Sequence, residues 1–287
     1  MSKFVEISNG TLTAKISITG AELRSVKNRG GKEFMWEADK SVWDNCSPIL
    51  FPICGGLKED RYELDGTCYT MKKHGFIKYA EFFVETQAES SVTLVTRQTE
   101  ETLKQYPYDF EFRAVFELDG NAIKTTYSID NKTDKKMYFS VGAHEGYACP
   151  DGIENYSIEF EKSETLNAYI LDGNLLEDKY ITIKKDTDKL DLLYEYFAVD
   201  ALVFKNVKSR KVSLVRHDGA TKIDVEFPGF DYLLFWTKPN GKYICIEPWT
   251  GIPDGVGSSY DFTKKEGILT LAANGNYSIV HKITFEK

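Results

Sequence analysis

Alternation with a period of two runs through this chain almost from end to end and limits its fold more than any other feature. Leu12, Ala14, Ile16 and Ile18 alternate with Thr11, Thr13, Lys15 and Ser17. Phe110, Phe112, Ala114, Phe116 and Leu118 do the same against Glu111, Arg113 and Glu117. Successive side chains of a strand point to opposite faces, so such segments bury one face and wet the other. Asp119-Gly120 supplies a tight turn into Ile123, Thr125, Tyr127 and Ile129. Asn9-Gly10, Arg29-Gly30-Gly31, Asp65-Gly66, Asp172-Gly173 and Asn240-Gly241 punctuate the rest at hairpin intervals. Helix signals are few and short: residues 99–104, stopped by Pro107, and residues 189–194. Strand signals from Phe4 to Phe285, undivided by any linker rich in Pro, Gly or Ser, predict a large antiparallel β-sandwich. The expectation is one all-β domain over residues 1–287; a barrel or two small β domains are the alternatives.

A chain of 287 residues can bury enough apolar surface to need neither disulfide nor structural metal. The formal charge is −8 and no basic stripe appears, which argues against a nucleic-acid partner. Residues 205–211 carry four positive charges and read as a solvated hairpin tip. Five cysteines, Cys46, Cys54, Cys68, Cys149 and Cys245, lie at irregular spacing with no C-x-x-C pair. Reduced thiols in a cytoplasmic protein are the expectation. The first residues already alternate like a strand and lack an apolar h-region, so no export signal is expected. No apolar run approaches a membrane span, so no membrane partner is expected. Monomer and homodimer both stay open.

Two of the four histidines sit in segments of unusual composition: His74 in Lys-Lys-His-Gly-Phe and His144 in Val-Gly-Ala-His-Glu-Gly-Tyr. Glu247 interrupts the apolar run Tyr-Ile-Cys-Ile-Glu-Pro-Trp, although glutamate is rarely buried without a partner. By alternation Tyr243, Cys245 and Glu247 share a face. Trp249 beside the carboxylate suits a stacking wall for a sugar ring. Two imidazoles and a carboxylate are the minimum for acid–base chemistry near neutral pH without a cofactor. His217 and His281 read as structural. Metal binding would want closer ligand spacing, such as H-E-x-x-H, so no metal is expected. No Gly-x-Ser-x-Gly elbow occurs, and residues 255–258 lack the strand–turn–helix context of a phosphate loop. Glu145, Asp200 and Glu247 could supply the two carboxylates of a glycosidase.

Six segments in order resemble the aldose 1-epimerase (galactose mutarotase-like) family, and within it the LacX-like branch. They are Ser47-Pro-Ile-Leu-Phe-Pro-Ile-Cys-Gly-Gly-Leu-Lys, Lys73-His-Gly-Phe, Tyr106-Pro-Tyr-Asp-Phe, Val141-Gly-Ala-His, Asp200-Ala-Leu-Val-Phe and Cys245-Ile-Glu-Pro-Trp. The resemblance implies a large antiparallel β-sandwich that interconverts the α and β anomers of a small free sugar. It implies that His144 protonates the ring oxygen and Glu247 takes the proton of the anomeric hydroxyl. His74 and Asp200 are then substrate-binding residues, joined by Trp249 and Lys78. No cofactor is implied. The reading requires His144 and Glu247 on opposite edges of one pocket, about one pyranose width apart.

Three departures bear on the substrate. Gly56 stands where the family often has an arginine, for which Arg61 or Lys58 could compensate. Lys78 stands where many members have another arginine, keeping the charge but losing the planar grip. Glu145 follows His144 where many members have proline, and either raises the histidine's pKa or points outward. The rival readings are a non-catalytic sugar-binding protein and a hexose-6-phosphate epimerase that uses Lys72, Lys73 and Lys78.

Overall fold

A computed structural model describes residues 3–286. Thirteen of the strands form one sheet, antiparallel at every pairing. From one edge the order is Glu145–Ala148, Tyr243–Trp249, Tyr232–Trp236, Leu202–Phe204, Tyr156–Asp172, Lys211–Arg216, Lys222–Glu226, Asn276–Glu286, Ala122–Asn131, Phe110–Asp119, Ser91–Arg97 and Phe83–Gln87. Leu175–Asp191 pairs with Tyr156–Asp172 as a long hairpin. A three-stranded sheet of Phe4–Ser8, Leu12–Ser17 and Leu23–Asn28 adds Ile7, Leu12, Ala14 and Ile16 to the same buried cluster as Phe112, Tyr127 and Ile283. The architecture is the all-β antiparallel sandwich that alternation predicts.

Local chemistry explains the elements. Phe110–Asp119 meets Ala122–Asn131 across the Gly120 turn, where φ is +56°. The single α-helix among the described residues, Glu100–Gln105, starts at Thr99, whose hydroxyl caps the Thr102 amide. Tyr106 follows it and ends the helix.

Two expectations fail. Residues 189–191 continue a strand instead of starting a helix, and only a 3₁₀ turn follows at Tyr194–Phe197. Strand pairing outweighs a short helical signal there. Residues 205–211 are no solvated tip either. The Lys208 and Ser209 amides donate to the Glu164 carboxylate, and Ser209 is fully buried.

Phe51 is the aromatic hub beneath the future site. Its ring contacts Phe76, Tyr106, Phe110, Phe112 and Phe139 at centroid distances of 5.2 to 6.3 Å. Its carbonyl accepts from the Phe76 amide, which fixes the His74-Gly75 turn against the core. Truncating such a phenyl ring to alanine costs about 3–5 kcal/mol.

Candidate active site

Sheet register brings the separated residues together. Gly146 pairs with Cys245, Glu145 with Ile246 and Gly142 with Trp249. His144 therefore lies opposite Glu247 in an unbroken antiparallel register. Directly opposed residues share a face, so His144 and Glu247 look the same way while Glu145 looks the other. The His144 Nε2 to Glu247 Oε2 distance is 3.3 Å.

The glycines on either side of His144 have a steric purpose. A side chain at Gly142 would strike the Trp249 indole, and one at Gly146 would strike Trp43. Gly142, His144 and Gly146 thus present one imidazole flanked by two indoles. Trp43 lies 5.2 Å from the His144 ring and also stacks on Tyr243, while Trp236 meets His144 edge-on at 5.7 Å. The Trp249 Nε1–H donates to the Ala143 carbonyl, 3.1 Å away.

His74 comes from a different loop. Its φ is +70°, rare for a side-chain-bearing residue and typical of positions held for function. The next residue, Gly75, approaches the Phe51 carbonyl too closely for any Cβ. The Gly55 amide donates to His74 Nδ1 at 3.1 Å, and the His74 amide donates to the Gly55 carbonyl. With Nδ1 accepting, neutral His74 carries its proton on Nε2. The ring stands edge-on to His144, centroids 5.6 Å apart.

These groups line one cleft of about 300 Å³, whose wall also includes Lys73, Lys78, Asp200, Asn174, Trp43, Trp236 and Trp249. All six site residues foreseen in the sequence face it. Lys73 Nζ lies 3.6 Å from Asp200 Oδ2. Trp43, Trp236, Asn45 and Asn174 escaped the sequence reading. Only the pairing of Trp236 with Cys245 carries a periodic signal; the others arrive on loops and a turn.

Burial governs the electrostatics. It lowers His144 to about 3, with the charges of Lys73 and Lys78 adding to the effect against a bond to its own backbone. His74 is held well below the usual imidazole range by burial, then by His144, Lys73 and Lys78. Burial pushes Glu247 well above the usual carboxylate range, Lys73 opposing and Asp200 and Glu145 adding. Burial thus disfavours the charged form of each member of the His144–Glu247 contact. Cys245 brings a third donor, all three within 4.8 Å of one another. A cation held there would take the lone pairs that proton transfer needs.

Several expectations need correction. His144 and Glu247 are adjacent, not a pyranose width apart. The reason is register: the pairing that joins Gly146 to Cys245 and Gly142 to Trp249 sets the two residues directly opposite each other. Glu145 neither points outward nor touches His144; its Oε1 shares a 2.8 Å hydrogen bond with His281 Nε2, in the core. It is thus unavailable to a glycosidase pair. Arg61 pairs with Glu59 and stacks on Tyr260, and Lys58 approaches Ser258 and Tyr260, so neither replaces the arginine missing at Gly56. Lys72 turns away to Asp60.

A family model described as Aldose 1-epimerase matches residues 3–259. The chain belongs to the aldose 1-epimerase family. It is 34% identical over 263 residues to the chromosomal LacX protein of Lactococcus lactis subsp. lactis, covering 86% of this chain and 88% of that one. A solved galactose mutarotase related enzyme from Lactobacillus acidophilus superposes with a TM-score of 0.92 at 31% identity, over 99% of this chain and 97% of its own. A galactose mutarotase-like protein from Lactobacillus casei gives 0.94 at 27% identity, over 99% and 100%. The mutarotase type of isomerase is thereby the reaction class of this epimerase. No described helix is long and apolar enough to cross a membrane.

Proposed function

We propose that this protein, as one cytoplasmic sandwich unit, interconverts the anomers of a free aldose, with His144 and Glu247 as the proton-transfer pair. The observation that carries the assignment is their 3.3 Å contact on one face of the cleft. Free thiols at all five cysteines agree with a reducing compartment.

The chemistry needs one proton in and one out. The Glu247 carboxylate takes the proton of the anomeric hydroxyl, the C1–O5 bond breaks as the C1=O1 bond forms, and O5 takes a proton from the His144 imidazolium. Rotation about C1–C2 turns the other aldehyde face towards O5. Closure returns a proton from O5 to His144 and another from Glu247 to O1, so the pair ends as it began. In the empty cleft burial leaves the proton on the carboxyl. Sugar hydroxyls filling the cleft supply the dipoles that bring the ion-pair form within reach. His74 donates its Nε2–H to the sugar oxygens, Asp200 accepts from hydroxyls, and the indoles of Trp249 and Trp43 bound the ring. Positioned acid–base groups contribute ~10²–10⁴-fold.

The test is anomerisation of fresh α-glucose and α-galactose, followed by polarimetry and exchange NMR. Wild type should accelerate it, and Glu247→Gln should remove ~10²–10⁴-fold of kcat. Equal rates with and without protein across an aldose panel would end the proposal.

Lys78 favours a second reading of the substrate. Its ammonium lines the cleft and lies over the Tyr79 ring, without a carboxylate partner among the described residues. It could receive an anionic substituent, so glucose 6-phosphate would show a higher kcat/KM than glucose. Equal or lower values would remove this reading.

A further inference from the structure

The geometry points to Asn174 as a substrate-binding residue that sets sugar specificity, with Gly56 kept free of a side chain to admit it. The inference deepens the epimerase reading and rests on the cleft holding a sugar. Asn174 sits at the tip of the Tyr156–Asp172/Leu175–Asp191 hairpin and lines the cleft beside Leu171 and Pro253. A Cβ on Gly56 would lie 2.8 Å from both the Asn174 Cβ and its carbonyl oxygen. Gly56 has no positive φ, so the close approach, not the backbone, calls for glycine there.

The tip is docked firmly. The Leu176 amide donates to the Asp254 carbonyl, the Val256 amide to the Leu176 carbonyl, and the Asp254 amide to the Gly56 carbonyl. Asp254 is itself fixed by buried Lys265 at 2.8 Å and by the Lys58 amide at 3.0 Å. Leu176 is 2% exposed, packed with Leu50, Val203, Leu234 and Trp249. A rigid scaffold thus carries an amide to the cleft wall.

Gly173 takes the positive φ, +59°, while Asn174 has none, so backbone strain does not demand asparagine at 174. Asn174 is exposed, and its side chain makes no hydrogen bond among the described residues. A free carboxamide offers both donor and acceptor to sugar hydroxyls. The long side chain that the family resemblance places at 56 is replaced by a neutral group from another strand, which changes which hydroxyls are read.

The experiment measures KM, kcat and NMR-titrated Kd for glucose and galactose in wild type, Asn174→Ala and Gly56→Ala. Loss of one such hydrogen bond should raise KM and Kd about 3- to 10-fold with kcat within twofold, as for an interaction made equally in ground and transition states. The galactose-to-glucose KM ratio should move at least about threefold, because the two sugars differ in one hydroxyl orientation. Gly56→Ala should shift the same quantities in the same direction, and Asn174→Ser should recover part of the loss. An unchanged KM and ratio in Asn174→Ala overturns the inference. Wild type that binds aldoses without accelerating anomerisation sinks the epimerase reading separately, and Asn174 is then judged by Kd and its sugar ratio.

Discussion

Two imidazole–carboxylate pairs stand back to back on the same ladder of strands, and they differ in what surrounds them. His144 and Glu247 face the cleft, with 10% and 2% of their side chains exposed, and their contact is 3.3 Å. One residue along, Glu145 turns to the opposite face and meets His281 at 2.8 Å, with 4% and 0% exposed. The second pair is hydrogen-bonded and lies outside the cleft, and Tyr127 and Phe230 lie against its imidazole. Access is what separates the two pairs, since residue type is the same on both faces. The looser pair lines the cleft; the closed pair ties the edge strand Glu145–Ala148 to the C-terminal strand.

The contrast is broken most directly by substitution on each side. Glu247→Gln should cost ~10²–10⁴-fold in kcat. It should leave the melting temperature unchanged or raised, because a buried group that burial already penalises has been replaced by a neutral one. A melting temperature that collapses together with activity would mean that the cleft pair is structural as well.

His281→Leu should do the reverse. Glu145 would keep a buried carboxylate without its partner, at a cost of about 1–3 kcal/mol. For a chain of this size that is a fall of about 2–10 °C in melting temperature. Turnover at a permissive temperature should stay within about threefold. Glu145→Leu with His281→Leu should recover much of the loss, since replacing both members of a buried pair is often neutral. A folded His281→Leu protein as inactive as Glu247→Gln would show that the two faces are coupled.

The sequence made one face of this contrast readable and hid the other. Alternation located the strands, and Glu247 inside an apolar run betrayed a buried acid. It left open whether Glu145 acts on His144 or points outward, and did not show which face was the cleft. That depends on the pairing of Gly146 with Cys245, about a hundred residues away, which the order of a thirteen-strand sheet sets. Trp43 and Asn174 carry no local signal at all. One arrives on a loop, and the other sits in the Gly173-Asn174 turn, where Gly173 carries the positive φ. Residues 205–211 misled because charge was visible and the buried Glu164 that holds their amides was not.

The smallest expected effect separates the two members of the cleft pair. His144 is held at about 3 in the folded protein against 6.5 when exposed. Between those values the unfolded chain binds the extra proton, so this residue makes stability fall as pH falls below 6.5. Glu247 acts oppositely. Its folded value lies well above 4.5, so the folded protein binds the extra proton above that pH, and stability falls as pH rises through the raised value. Between pH 4.5 and 6.5 the two linkages offset each other in wild type. Glu247→Gln removes one of them, and its stability should then drop more than wild type's on going from pH 6.5 to 4.5. His144→Asn should lose less than wild type over the same interval. Urea midpoints at the two pH values measure both differences. Parallel pH dependence in all three proteins would mean that burial does not shift these two side chains in opposite directions.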